Sequence, residues 1–123
     1  QGRAALELGE LEVARSSFLE TLEGLAALGY RTGVAIALDA LAALEMRLGH
    51  PVRALRLAGA AEALKEAAGG QVPPEFAYPD PRPAARTALP EERIASAWAE
   101  GRAMSSLDEA VAYAGADPGP DER

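Results

Sequence analysis

Apolar side chains recur at every third or fourth position through more than half of the chain. One run covers residues 11–28, a second 32–48 and a third 51–68. This spacing places the apolar side chains on one face of an α-helix. No stretch alternates apolar and polar residues over the length of a strand, so the pattern predicts an all-α fold. The predicted buried stripes are Leu11, Ala14, Phe18, Leu22 and Leu25, then Val34, Ala37, Leu38, Leu41, Leu44 and Leu48, then Ala54, Leu57, Ala58, Ala61 and Leu64.

Glycines lie between these apolar runs, and they align in pairs when the sequence is compared with itself at a shift of 40 residues. Gly9 then falls on Gly49, and Gly29 falls on Gly69, at points where the helical periodicity stops. Glycine supplies the left-handed residue that often ends a helix. We therefore expect a remnant helix at 2–8 and helices at 11–28, 32–48 and 51–68. Turns of two to four residues between them require neighbouring helices to pack antiparallel.

Prolines between residues 70 and 83 exclude a continuous helix there. We expect a Pro-rich loop there, anchored on the preceding helix pair by Phe76 and Tyr78; the alternative is a flexible linker to a separate small unit. Beyond the loop the pattern predicts short helices near 83–89, 91–103 and 106–115. Residues 84–115 would then be a set of C-terminal capping helices. The polar segment 116–123 is expected to be disordered.

The composition predicts many helix–helix contacts that each bury little surface, and it predicts no contact with nucleic acid. Of the 123 residues 29 are Ala, against two Phe, one Trp and three Tyr, so most apolar side chains are small. The formal net charge is −7 and the arginines are scattered, which disfavours binding to a polyanion. No run approaches the roughly 20 apolar residues of a membrane helix, and no signal-peptide pattern opens the chain. A cytoplasmic location is therefore expected.

The sequence carries no recognisable catalytic or metal-binding motif. Walker A, Gly-rich phosphate-loop and GxSxG patterns are missing. The chain has no Cys, and its one histidine, His50, cannot by itself form a histidine metal cluster. Acidic pairs such as Glu91–Glu92 lie at predicted helix starts, where they complement the helix dipole. We therefore expect no enzymatic activity, no cofactor and no metal, and an exposed His50 in a turn.

The first 69 residues resemble tetratricopeptide repeats. Gly9, Ala14 and Phe18 have the spacing that is typical of the second helix of such repeats, and Gly49, Ala54 and Ala58 have the same spacing with a smaller third residue. Leu41 and Ala42 supply the large and small pair that the first helix of the family carries. The resemblance implies a tetratricopeptide-like α-solenoid over residues 1–69, built from antiparallel helix pairs and closed by the C-terminal helical cap.

The C-terminal half resembles large actinobacterial and related transcriptional regulators that join an NTPase module to helical repeats, the LuxR/NTPase or STAND-like type. Residues 97–105 and 107–114 resemble a recurrent C-terminal motif of these proteins, and residues 57–64 with 72–74 resemble the segment before it. Between Pro74 and Ile94 the chain has a proline-broken stretch where such proteins have a longer helix. A LuxR-type helix-turn-helix follows in many of them; others end here or carry a cyclase or kinase domain upstream.

The resemblance implies a non-catalytic module for signal sensing or protein interaction in a bacterial transcriptional regulator. The alternatives are a regulatory segment of a multidomain cyclase or kinase, and a stand-alone scaffold. The expected partner is a protein, either another domain of the parent chain or a separate one. Because the chain starts with Gln and solenoid units need neighbours, we expect a missing preceding repeat. Residues 2–28 would then expose apolar surface, through which a homodimer could form.

The candidate binding site is a face of one helix. Tetratricopeptide arrays bind partners on the concave side, which the first helix of each pair lines. Here the residues of that partner groove would be Ile36, Asp39, Ala43, Met46 and Arg47, which share a face. The alternative is that helix 32–48 packs on all sides. Trp98 is predicted to be a buried anchor whose indole N–H donates to a backbone carbonyl, and the alternative is that it stacks on a ligand. Arg102 is a candidate for pairing with a carboxylate.

Overall fold

The computed structural model of the chain describes residues 2–69, 75, 78–104, 106–116, 118, 119 and 122, with side chains described from residue 9 onward. Within those ranges it contains six helices and no strand. The helices are α1 (Gly2–Ala27), α2 (Arg31–Arg47), α3 (Pro51–Ala67), α4 (Arg82–Ala85), α5 (Glu91–Arg102) and α6 (Leu107–Gly115). The expected all-α class is confirmed, while the predicted anchor Phe76 lies outside the described residues.

The first helix runs through Gly9 without a break, so the predicted helix end at Gly9 is wrong. Helix α1 begins at Gly2 and continues to Ala27. Glycine in a helix interior costs only about 1 kcal/mol relative to alanine. After Gly9 the chain continues with the helix formers Glu10 and Leu11, whereas Gly49 is followed by His50 and Pro51. A glycine alone therefore does not end a helix when its neighbours sustain one.

The turns after α1, α2 and α3 each contain a left-handed glycine. Gly29, Gly49 and Gly69 have φ values of 71°, 84° and 67°. After α2 the amide of Gly49 donates to the Met46 carbonyl at 3.1 Å, and the amide of His50 donates to the Glu45 carbonyl at 2.9 Å. These two bonds form a Schellman motif, which satisfies carbonyls at the helix end. The turns recur every 20 residues, so the 40-residue shift seen in the sequence spans two turns.

Helix α3 is the centre of the fold. It packs against α2 on one side and α5 on another, while α1 packs on α2, and α6 contacts α1, α2 and α3. The predicted stripe of α3 is buried throughout, and that of α2 is buried except for Leu48, which is half-buried. In α1 only Leu22 of the predicted stripe is fully buried. Burial thus increases from α1 toward α3.

Two glycines bring the backbones of α3 and α5 into direct contact. A β-carbon on Gly59 would lie 2.5 Å from the Trp98 carbonyl oxygen. A β-carbon on Gly101 would overlap the carbonyl group of Arg56. Only hydrogen fits at these two positions, so the glycines set the distance between α3 and α5.

Helix α1 exposes apolar side chains, as the sequence predicted. Val13 is 68% exposed, and Leu28, the residue after the helix, is 80% exposed. Glu10, Glu12 and other acidic side chains are exposed on the same helix. What covers this surface, including the expected second copy of the chain, stays a prediction.

Candidate partner-binding cleft

A cleft of about 320 Å³ opens between α2, α3, α5 and the segment 78–82. Its walls are largely charged, with two aromatic side chains. The lining residues are Asp39, Ala58, Glu62, Lys65, Glu66, Tyr78, Pro79, Asp80, Pro81, Arg82, Trp98 and Arg102. Of the loop anchors expected from the sequence, Tyr78 is described; it is 41% exposed and forms part of this wall.

An ion pair between Asp39 and Lys65 joins α2 to α3 at one end of the cleft. Lys65 Nζ lies 2.7 Å from Asp39 Oδ2 and 3.7 Å from a carboxylate oxygen of Glu62. Burial raises the pKa of Asp39 above its usual 3.8, and the hydrogen bond and charge of Lys65 offset part of that rise. Asp39 is therefore a partly desolvated carboxylate whose negative charge is stabilised by Lys65.

A second pair, between Glu66 and Arg102, joins α3 to α5. The Arg102 guanidinium donates to both carboxylate oxygens of Glu66, at 2.7 and 3.0 Å. Arg102, a candidate for pairing with a carboxylate, is thus paired with Glu66. The hydrogen bond from Arg102 lowers the pKa of Glu66. Both side chains are exposed. The pair therefore holds two charged groups in place at the rim of the cleft and adds little to the stability of the fold.

Trp98 packs against the apolar core, and a cationic side chain lies over its ring. Its indole lies against both clusters of buried apolar residues, but it is half-buried where the sequence predicted a buried anchor. The guanidinium carbon of Arg82 lies 4.0 Å from the centroid of a Trp98 ring, in cation–π contact. Arg82 is held there by hydrogen bonds to both Asp80 oxygens, at 3.0 and 2.8 Å. The sequence did not predict this contact.

The five residues of the predicted groove do not all face this cleft. Asp39 lines it, whereas the other four residues do not belong to its walls. Ile36, Ala43 and Met46 are half-buried, and Met46 packs against both apolar clusters. Arg47 is exposed at the last residue of α2. Their role as a groove for a partner stays a prediction.

A buried ion pair that the sequence did not predict lies away from the cleft, between α2 and α3. Arg53 Nε is 2.7 Å from Glu45 Oε2, and both side chains have no exposed surface. Arg15 of α1 approaches the other Glu45 oxygen at 3.3 Å. The sequence held a signal for this pair, because Glu45 follows Leu41 by four residues and Arg53 precedes Leu57 by four, so each lies on a buried stripe.

His50 belongs to the same cluster, so the expected exposed histidine is a further correction. Its Nδ1 atom lies 3.3 Å from Glu45 Oε2, and its side chain is 25% exposed. The Schellman turn after α2 directs the chain back toward Glu45, because the His50 amide is bonded to the Glu45 carbonyl. Backbone geometry thus brings the histidine to the carboxylate.

Arg53 also caps the C-terminal end of α6. Its Nη2 atom donates to the carbonyls of Ala114 and Ala116, both at 2.8 Å, and to that of Tyr113 at 3.4 Å. A cation at this position complements the negative end of the helix dipole. Arg53 therefore ties α2, α3 and α6 together from one buried side chain.

Glu122 lies in the segment 116–123, for which disorder stays a prediction, and its own side chain is described. Its side chain is 4% exposed, and its carboxylate contacts Arg53 and Arg56 of α3. Two guanidinium groups at the end of α6 attract a carboxylate that local sequence patterns could not connect to them.

The described residues offer polar recognition surfaces but no assembled metal site. No group of three or more His, Cys, Asp or Glu side chains in them is arranged to hold a metal ion. None of the helices in the same part of the chain is long and apolar enough to cross a bilayer. In the cleft, Asp39, Glu66 and Asp80 are each bonded to a cationic side chain.

Comparison with known proteins found three curated relatives, all mycobacterial. They are proteins of Mycobacterium bovis and of two strains of Mycobacterium tuberculosis, each named "Putative HTH-type transcriptional regulator". Each is 37% identical to this chain over 117 residues, which cover 93% of the chain and 13% of the relative. The chain therefore spans only a small part of the length of these relatives. No family model and no solved structure matches the chain.

Proposed function

We propose that this chain is a non-catalytic protein-interaction module that relays signals within a bacterial transcriptional regulator. The observation that carries the proposal is the 37% identity to three mycobacterial proteins named as HTH-type regulators, which extends over 93% of this chain. Since the matched region is 13% of each relative, the rest of such a protein supplies the other domains.

The packing of the helices supports a tetratricopeptide-like role. Helices α1, α2 and α3 follow one another through short glycine turns, and each packs on the next. Helical repeats of this kind bury one face against their neighbours and leave another face for partners. The apolar surface of α1 around Val13 is the face on which a further helix pair would stack.

The charge of the chain supports a role away from DNA. The net charge is −7, and in the cleft the cations Lys65, Arg82 and Arg102 are paired with carboxylates. Phosphate contacts require cations that are available to the nucleic acid. In this proposal another part of the regulator contacts the operator.

The partner surface is the cleft at Asp39 and Lys65, and its partner is another domain of the same regulator. The cleft is lined by two aromatic side chains, Trp98 and Tyr78, and by carboxylates that are paired with cations. Polar rims around aromatic side chains are typical of protein interfaces. Because Asp39 joins α2 to α3 through Lys65, a partner that competes for either charge would alter the contact between these helices.

The experiment uses a regulator that contains this segment, with a transcriptional reporter. The double substitution Asp39→Ala and Lys65→Ala should change the response of the reporter to its inducing condition at unchanged protein level and unchanged operator affinity. Glu92→Gln, on an exposed part of α5, is the matched control and should leave the response as in the wild type. An unaltered response in the double variant would contradict the proposed role of the cleft.

A further inference from the structure

A second cleft, of about 470 Å³, opens between α4 and α5; we call it the α4–α5 pocket. Its apolar lining comes from Pro83 on α4 and from Ile94, Ala95 and Trp98 on α5. Ile94 is buried in the smaller of the two apolar clusters, so the packing of the fold holds this wall in place. Sites for small molecules are mostly apolar clefts of roughly 300–1,000 Å³ with a few polar groups, and this pocket has that size and that kind of lining.

Four charged side chains complete the α4–α5 pocket, and they form two ion pairs. Arg82 is bonded through Nε and Nη2 to Asp80, and Arg86 is bonded through Nε to Glu91 at 2.5 Å. Among the described residues, no acceptor is bonded to Nη1 of Arg82 or to either terminal nitrogen of Arg86. Because a guanidinium carries five N–H donors, each arginine retains donors for an acceptor that enters the pocket.

The pocket therefore combines an apolar wall with two arginines that have further donors. A guanidinium binds a carboxylate through short, charge-assisted hydrogen bonds, which are stronger than those to a neutral acceptor. A ring attached to that carboxylate would bury its apolar surface against Ile94, Ala95 and Trp98. Together these two contacts describe a small aromatic carboxylate.

We propose that the α4–α5 pocket is a binding site for a small aromatic carboxylate, with Arg82 and Arg86 as its polar contacts. Neither ion pair has to break for this ligand to bind, because donors outside the pairs receive it. The binding itself does not rest on the proposed function of the chain.

The α4–α5 pocket shares part of its wall with the cleft at Asp39. Asp80, Arg82 and Trp98 line both. A ligand bonded to Arg82 would therefore hold side chains that a protein partner in the cleft also meets. This consequence rests on the proposed function, whereas the tests below measure binding to the chain alone.

The first test uses benzoate as the probe and the indole N–H resonance of Trp98 as the reporter. The chain has one Trp, so its NMR spectrum contains one such resonance. Benzoate should shift this resonance, and the Nε–Hε resonances of Arg82 and Arg86, in a saturable manner. Benzyl alcohol, which has the ring but no carboxylate, should bind about tenfold more weakly. Absence of a saturable shift with benzoate would overturn the site, and equal affinity for the two probes would overturn the role of the arginines.

The second test locates the probe by substitutions with matched controls. Ala95→Leu adds volume inside the pocket and should abolish the saturable shift, whereas Ala99→Leu, on the same helix but outside the lining, should leave it unchanged. Arg86→Gln should lower the affinity for benzoate about tenfold, and Arg31→Gln, at the start of α2, should not. All four residues are exposed, so the fold should tolerate each change. Equal affinities within either pair of variants would overturn the proposal.

Discussion

Gly101 on α5 lies directly against the backbone of Arg56 on α3, so closely that a β-carbon at Gly101 would overlap the Arg56 carbonyl group. On the facing helix, Gly59 makes the same kind of approach to the Trp98 carbonyl. Backbone atoms cannot move aside as the end of a flexible side chain can. The contact between α3 and α5 therefore depends on the absence of side chains at these two positions.

Substitution of Gly101 by alanine should destabilise the chain despite the higher helix propensity of alanine. Overpacking of this kind costs about 1–3 kcal/mol, which exceeds the propensity gain of about 1 kcal/mol. The free energy of unfolding in urea would measure the difference. Gly24→Ala is the matched control, because Gly24 lies in α1 with open space around it. It should stabilise the chain slightly; destabilisation of equal size in both variants would contradict the proposed close contact.

The buried pair of Glu45 and Arg53 predicts strong coupling in a double-mutant cycle. Arg53→Met leaves the fully buried Glu45 without its nearest cation, with Arg15 and His50 as its remaining partners among the described residues, and should cost about 3–5 kcal/mol of unfolding free energy. Glu45→Met with Arg53→Met should cost less than the sum of the two single changes, because no unpaired buried charge remains. Additive costs, measured by urea unfolding, would show that the pair is not coupled. The exposed pair Glu66–Arg102 provides the control, for which the cycle should show little coupling.

The contacts of the Glu122 carboxylate with Arg53, Arg56 and the Gly119 amide predict a loss of stability in acid that requires Glu122. Burial alone would raise the pKa of Glu122, but the Gly119 amide, Arg56 and Arg53 outweigh burial and lower the pKa below its usual 4.5. A carboxyl whose pKa is lowered in the folded state contributes stability above its unfolded pKa, and loses it as the pH falls through the folded value. The Tyr113 hydroxyl also faces this carboxylate and donates a hydrogen bond to it.

The measurement is the free energy of unfolding of the wild type and of Glu122→Gln as the pH is lowered from 6. The difference between them should be constant above about pH 5, where the carboxyl is ionised in both states, and should shrink below pH 4.5. A difference that stays constant through this range would show that the ionised carboxylate contributes nothing to the fold.

Local patterns in the sequence were sufficient to predict the helices but not the contacts between charged side chains. The stripes of α2 and α3 and the glycine turns at 29, 49 and 69 follow from periodicity and from the left-handed conformation that glycine adopts. Gly9 shows the limit of that argument, since a glycine between helix formers can stay within a helix. A pattern rule must consider the residues on both sides of the glycine.

The charged contacts depend on which helices meet, and periodicity does not provide that. Glu45 and Arg53 each lie on a stripe of apolar residues, so their burial could have been inferred from the sequence. Their pairing with each other requires α2 and α3 to face one another. Glu122 is separated from Arg53 by 69 positions and has no periodic neighbours, so only the folded chain shows their contact.

The most direct test of the proposed function is a comparison of hydrogen exchange in this chain alone and within a complete regulator. If the cleft receives another domain, amides of α2 near Asp39, of α3 near Lys65 and of α5 near Trp98 should exchange more slowly in the complete protein. Amides on the exposed face of α5 near Glu92 should exchange equally in both. Identical exchange at the cleft in the two proteins would contradict its role as an interaction surface.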